Sequence, residues 1–312
     1  MTGVPPWMLV ITGIVSVQVG AGLAGRMFGE VSPATLTGLR LWAAAAAMAA
    51  FGGRGLARTA RDLVRERAWR DSAVVVAFGV TLAIMNFSFY QAFARIPLGI
   101  VVTIEFLGPL AVAVASSRRV VDLVWVALAG TGVALLSDGW SSLSLHGGQA
   151  GQAGTALAGV ALALVAAAGW AAYILLSAST GRRFPGSSGL TIAMVVAAVA
   201  VTPAAAAGSA GRGDPLRLAV IGTGIAAGLL SSVIPYRLEM ETLRRIPARI
   251  FGIWMSLEPA VAALVGLALL GEALAPREWA AIGCVIVASA GAARGNGTVS
   301  PAPGDPVPPN PG

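Results

Sequence analysis

Charged side chains recur along this chain at intervals that match the thickness of a lipid bilayer. Met1 to Gly25 carries none, Val31 to Gly53 only Arg40, Ser72 to Ala94 none, Ile96 to Ser117 only Glu105, and Val120 to Ser137 only Asp122. A helix needs about 20 apolar residues to cross the hydrocarbon core, and charge is costly inside it, so each interval reads as one span. Gly139 to Gly181 has no formal charge, but it opens on the polar run SSLSLHGGQAGQAG, which sets the start of the sixth span near Thr155. Phe184 to Gly211, Leu218 to Tyr236, Ile250 to Gly271 and Pro276 to Ala293 follow. The expected fold is an all-α membrane protein of about ten transmembrane helices.

The chain is 56% hydrophobic and 11% charged, too apolar to clothe a water-soluble fold. Its net charge of +7 comes from arginines lying in the breaks between apolar runs, with no continuous basic face, so nucleic acid is not an expected partner. One cysteine, Cys284, and one histidine, His146, leave no cluster for a zinc or haem site, and neither metal nor cofactor is expected. The first apolar run lacks a basic leader and precedes nine more, so it is expected to stay as a helix.

Arginines set the orientation. With the N-terminus inside, the inner breaks hold RGLARTARDLVRERAWR and the pairs Arg118–Arg119, Arg182–Arg183 and Arg244–Arg245, while the outer breaks hold single residues such as Arg26, Arg95 and Arg277 and the more widely spaced Arg212 and Arg217. Both termini are therefore expected on the cytoplasmic side of the cell membrane. The stretch after Ala293, rich in proline and glycine, reads as a disordered tail.

At an offset of 150 residues, ARIPLGIVVTIEFLGPLAVAV from Ala94 matches RRIPARIFGIWMSLEPAVAAL from Arg244. Arg95, Ile96, Pro97 and Pro109 fall on Arg245, Ile246, Pro247 and Pro259, spacing that two unrelated apolar helices would not share. The expected organisation is a first repeat over 1–138, a polar glycine-rich linker over 139–154, a second repeat over 155–293 and the tail over 294–312. Five crossings per copy would invert one copy relative to the other, an arrangement that secondary transporters use to alternate access to a midplane site.

Glu105 and Glu258 each lie well inside a span, where a carboxylate costs ~3 kcal/mol unless it faces a cavity or carries a proton. They are either groups that couple or bind, or neutral acids that hold helices together. Pro109 and Pro259 withhold the donors that the carbonyls of Glu105 and Met255 would otherwise receive, so both helices are expected to break there, for a substrate or for packing. Arg40 is a candidate to neutralise an acid or grip a carboxylate, or else it snorkels to the surface. Gln18, Asn86, Gln91 and Tyr236 supply further polar groups, and Trp170, Tyr173 and Trp254 offer rings; each serves either a cavity or interhelical packing. GTGIAAG at Gly222 lies inside an apolar span and lacks the strand of a dinucleotide-binding turn.

The segments IPLGIVVTIEFLGPLAVAVASSRRVVDLVWV and SSVIPYRLEMETLRRIPARIFGIWMSLEPAVAALVGLALLGEAL resemble the EamA type of the drug/metabolite transporter superfamily, most closely its threonine/homoserine exporter branch. The resemblance implies two inverted five-helix repeats around a central cavity and proton-driven efflux of small amino acids or related metabolites. It places Glu105, in IEFLGPL, and Glu258, in SLEPA, as candidates for coupling or substrate contact. A drug or cation permease of the same superfamily is the alternative. An intramembrane enzyme is a more distant one, since the spans hold no histidine and no nucleophile–base constellation. A small-molecule substrate, protons and the bilayer are the expected partners, and the sequence is compatible with a homodimer.

Overall fold

The computed structural model describes residues 4–65, 69–116, 121–145, 150–184, 186–209 and 217–295, and everything regular among them is helical. The expected tail beyond Gly295, His146, Arg118, Arg119 and Arg212 lie outside the described residues. Ten helical rods follow one another: α1 (Pro6–Gly25), α2 (Pro33–Arg65), α3 (Trp69–Phe93), α4 (Leu98–Glu105 and Leu107–Ala115), α5 (Asp122–Leu145), α6 (Ala150–Arg183), α7 (Ser188–Ser209), α8 (Leu218–Gly228, a wider π turn Leu229–Val233, and Ile234–Leu243), α9 (Ala248–Met255, Glu258–Val265 and a π turn Gly266–Leu270) and α10 (Pro276–Gly295). Helix is the form in which an apolar segment satisfies its own backbone without water.

Proline punctuates the rods. Pro6, Pro33 and Pro276 open helices, where a missing N–H costs nothing. Gly271, at φ 71°, ends α9 in the left-handed region, which glycine enters without strain. Among the described residues eight helices are long and apolar enough to cross a bilayer, and Asp122–Leu135 is a shorter apolar stretch within α5. α10 is helical over its expected range but carries Arg277 and Glu278 in its first turn. α2 runs beyond its apolar part, Pro33–Phe51, and carries the arginine-rich segment as far as Arg65 as a continuation of the same helix. Two expected boundaries shift: α6 begins at Ala150, ahead of Thr155, and α8 runs past Tyr236 to Leu243. The α8 boundary moves because Arg237, Glu239 and Glu241 continue a helix already nucleated by the apolar run.

α3 packs mainly on α6 and α7, α2 on α7 and α8, α1 on α8 and α9, α5 on α10, and α4 on α6 and α9. These principal pairings map onto one another when each helix is exchanged for the one five places along. One core cluster joins Leu98, Ile100, Val101 and Ile104 of α4 to Ala262 of α9 and Val285 of α10; another joins Leu41 of α2, Phe78 and Leu82 of α3 and Ala197 of α7. Trp42, Val80, Ile84, Leu164 and Leu264 are exposed, an apolar periphery suited to lipid.

A central cavity as the candidate functional site

Two helix breaks shape the centre. α4 is interrupted at Phe106 and α9 at Ser256–Leu257, in each case just ahead of the proline, Pro109 or Pro259, that withholds a backbone donor. Phe106 and Ser256 are equivalent at the 150-residue offset. A third irregularity is the π turn in α8. Pro235 withholds a donor from the carbonyl of Ser231, and the wider turn Leu229–Val233 absorbs the defect.

Between these elements lies a cavity of about 670 Å³, in the size range of small-molecule sites. Its lining runs from mid-span to the end of the bundle where α10 finishes: Met48 late in the apolar part of α2, Ala113 late in α4, Leu190 early in α7, Phe251 early in α9 and Ala293 near the end of α10. At the opposite end Leu98, Ile100 and Val101 are fully buried, and Phe28, Phe89, Tyr90 and Phe93 pack edge-on or tilted into an aromatic plug.

Of the residues singled out in the sequence, Gln18, Arg40, Asn86, Glu105, Pro109 and Tyr236 meet on this cavity together with Glu258. Arg40, 7% exposed, does not snorkel. Its guanidinium donates to Asn86 Oδ1 and, at 2.7 Å, to Ser231 Oγ, and lies 5.1 Å from the centroid of the Tyr90 ring. Among the described residues Arg40 makes no contact ion pair, and its Nε has no hydrogen-bond partner. Asn86 in turn donates to the Leu82 carbonyl at 2.8 Å, which fixes its oxygen toward Arg40. Glu258 Oε1 accepts from Gln18 Nε2 at 2.9 Å, while its Oε2 and Gln18 Oε1 are buried without hydrogen-bond partners among the described residues. The site thus presents a guanidinium without a contact ion pair and the half-satisfied carboxyl group of Glu258 to one space, an arrangement that calls for a partner.

Residues 157–294 match the EamA-like transporter family. The threonine/homoserine exporter RhtA of Escherichia coli K12 is 39% identical over 289 residues, 92% of this chain and 90% of that protein, and RhtA of Salmonella typhimurium LT2 is 37% identical over 287 residues, again 92% and 90%. The chain belongs to the EamA family of the drug/metabolite transporter superfamily. An uncharacterized transporter of Bacillus subtilis, YwfM, is 28% identical over 42% of this chain and 44% of its own. A solved crystal structure of a protein aligns with 92% of this chain and 96% of that one at a TM-score of 0.57 and 19% identity, a likeness of fold. As an EamA-family member this is a multi-pass membrane transporter of a small-molecule substrate, not an enzyme.

Two candidates lie elsewhere. Gln91 is not on the EamA cavity: it sits near the end of α3, where its side-chain and main-chain oxygens accept from Arg95 one turn on. Pro259 is buried beside Ala262 and shapes α9 without lining the cavity. Trp170 and Tyr173 line it, whereas Trp254 stacks on Trp7 at 6.4 Å. The structure adds Glu239, Ser231 and Tyr90 to the lining. Glu239 escapes a charge-spacing reading that ends the span at Tyr236. Ser231 carries no signal of its own beyond Pro235 four residues on.

Proposed function

We propose that this transporter exports small neutral amino acids of the threonine and homoserine type, using protons as the coupling ion. The observation that carries the proposal is Arg40, buried beside the cavity, held by neutral partners and without a contact ion pair among the described residues, lining the same space as Glu105, Glu239 and Glu258. A zwitterion has complementary ends for such a site: its carboxylate meets the guanidinium fork and its ammonium meets an acid. A carboxyl group that releases its proton as the ammonium arrives, and regains it as the ammonium leaves, links substrate movement to proton movement. The RhtA relatives, named as threonine/homoserine exporters, agree with this substrate class.

The transport cycle we infer is alternating access between two inverted halves, 1–138 and 155–293, joined by the 139–154 segment, with both termini cytoplasmic. The offset repeat, the exchange pattern of the helix pairings and the arginine-rich inner breaks support it. Under that orientation the cavity reaches toward the cytoplasm, the side from which an exporter loads. Three carboxyl groups against one arginine also suit a cationic solute, which is the second reading.

Purified protein in liposomes decides between them. An imposed pH gradient should drive labelled threonine or homoserine, with unlabelled neutral amino acids competing at least tenfold better than organic cations. Competition by cations alone would favour the second reading, and transport indifferent to the gradient would reject proton coupling.

A further inference from the structure

The same 150-residue offset pairs two carboxylates outside the cavity, Asp122 and Glu272, and the structure treats them in opposite ways. Glu272, in the turn between α9 and α10, accepts the backbone N–H of Leu98 at 2.9 Å and so caps the first turn of α4. Its own N–H donates to the Gly266 carbonyl at 3.1 Å, folding the turn back so closely that a Cβ on Gly266 would lie 2.4 Å from Oε2. The contact ties the second half to the first at the sealed end, where Leu98, Ile100 and Val101 are fully buried.

Asp122 opens α5 at the other end of the bundle. It is 3% exposed, and neither carboxyl oxygen has a hydrogen-bond partner among the described residues. A buried carboxyl without donors is costly, and a native structure that keeps one has a use for it elsewhere in its cycle. The residue equivalent to Leu98 is Ala248, which begins the first segment of α9. Just beyond that start Ile250, equivalent to the fully buried Ile100, is 36% exposed. α4 packs against α10, whereas among the described residues no comparable packing joins α9 to α5.

We propose that Glu272 and Asp122 are reciprocal latches, of which one is closed in each access state. In the state seen here Glu272 holds the N-terminus of α4 and seals one end. In the opposite state Glu272 releases Leu98, and Asp122 caps the N-terminus of α9 at Ala248 and seals the other. Each carboxylate stabilises a helix start through its unpaired N–H groups and positive dipole end, so the two states exchange one cap for an equivalent one. The inference rests on the alternating-access reading above, but not on the substrate or on proton coupling.

Spin-label distances in the full-length protein test it without substrate, in a Cys284→Ala background. One label pair, at Arg95 and Ala273, spans the sealed end, and another, at Leu123 and Leu243, spans the open end; all four positions are exposed. Glu272→Ala is expected to lengthen the first distance and shorten the second, by roughly a tenfold or greater change in the population ratio. Glu272→Gln, which keeps an acceptor, should leave both near the parent values. Adding Asp122→Ala to Glu272→Ala should return the populations toward the parent.

Should Glu272→Ala fail to fold, Asp122→Ala decides alone: it breaks no hydrogen bond seen in the present state among the described residues, and it should slow substrate exchange at least tenfold with binding unchanged. Distances indifferent to Glu272→Ala, or both alanine variants opening the same end, would overturn the latches. So would unimpaired exchange in Asp122→Ala. Failure of threonine transport in the parent protein would count against the proposed substrate and leave these distance outcomes to stand on their own.

Discussion

Gln18 Nε2 donates to Glu258 Oε1 at 2.9 Å and thereby joins α1 of the first half to α9 of the second across the floor of the cavity. The amide holds one oxygen of the carboxyl group and leaves Oε2 without a partner, so the group is fixed in place yet open to a proton or an ammonium. Replacing Glu258 by Gln keeps the hydrogen bond to Gln18 through an amide oxygen and removes the exchangeable proton. In liposomes Glu258→Gln should lose accumulation driven by a pH gradient, while counterflow of labelled for unlabelled substrate at equal pH stays within about tenfold of the parent, a difference of ~1.4 kcal/mol. Gradient-driven uptake persisting in this variant would remove Glu258 from the coupling step.

Arg40 makes a prediction about binding. Its fork is divided between Asn86, Ser231 and the face of Tyr90, which leaves Nε and the remaining N–H groups directed by a rigid frame. A lysine could not keep this geometry, because an ammonium is a point donor on a flexible stem. Arg40→Lys should raise the KM for threonine ten- to a hundredfold, the equivalent of losing about 1.5–3 kcal/mol from a charged hydrogen bond, with a smaller effect from Asn86→Ala. Competition by an amine that lacks the carboxylate should be unchanged in Arg40→Lys. Equal losses for acid and amine would mean that Arg40 supports the helices and does not meet the carboxylate.

The spacing of charges was enough to read nearly every rod, because the cost of charge in hydrocarbon is the strongest rule a chain of this kind obeys. It failed at Glu239 for the same reason: α8 stays helical past Tyr236 with its acid turned toward the cavity, and a rule that counts charge cannot see which way a side chain points. The breaks beside Pro109 and Pro259 were legible from the missing donors. The π turn near Pro235 was not, since a proline fixes which bond is lost but not whether the helix kinks or widens. Gln91 looked equivalent to Asn86 in composition; five residues place it more than one turn nearer the end of α3, where Arg95 takes up its oxygens.

Glu272 carries a pH signature. Burial of its carboxyl raises its pKa above the ordinary carboxylate range, opposed by the hydrogen bond from Leu98. A raised acid binds its proton more readily folded than unfolded, so folded stability should fall as pH rises from the ordinary carboxylate range through the raised value. The difference in thermal midpoint between the parent and Glu272→Gln, scanned over pH in detergent, isolates this group. The parent should lose stability relative to the variant as pH increases across that window, and a difference of the opposite slope would contradict the assignment.

Gly108 shows how the break in α4 is paid for in packing. Immediately after Phe106 the α4 backbone presses on α6 so closely that a Cβ on Gly108 would stand 2.2 Å from the Ala167 carbonyl oxygen, a backbone atom that cannot swing aside. This approach is what brings Glu105, one turn earlier, onto the cavity. Gly222 in α8 is also helical, but a Cβ there meets nothing within 4 Å. The two glycines therefore respond to the same substitution with opposite signs. Gly108→Ala should cost about 1–3 kcal/mol through overpacking and lower transport by displacing Glu105. Gly222→Ala should leave transport intact and raise stability by about 0.5–1 kcal/mol through the reduced freedom of the unfolded chain. Thermal unfolding of both variants in detergent gives the comparison directly; a Gly108→Ala protein as stable as the parent would show that α4 and α6 do not come together as closely as the site requires.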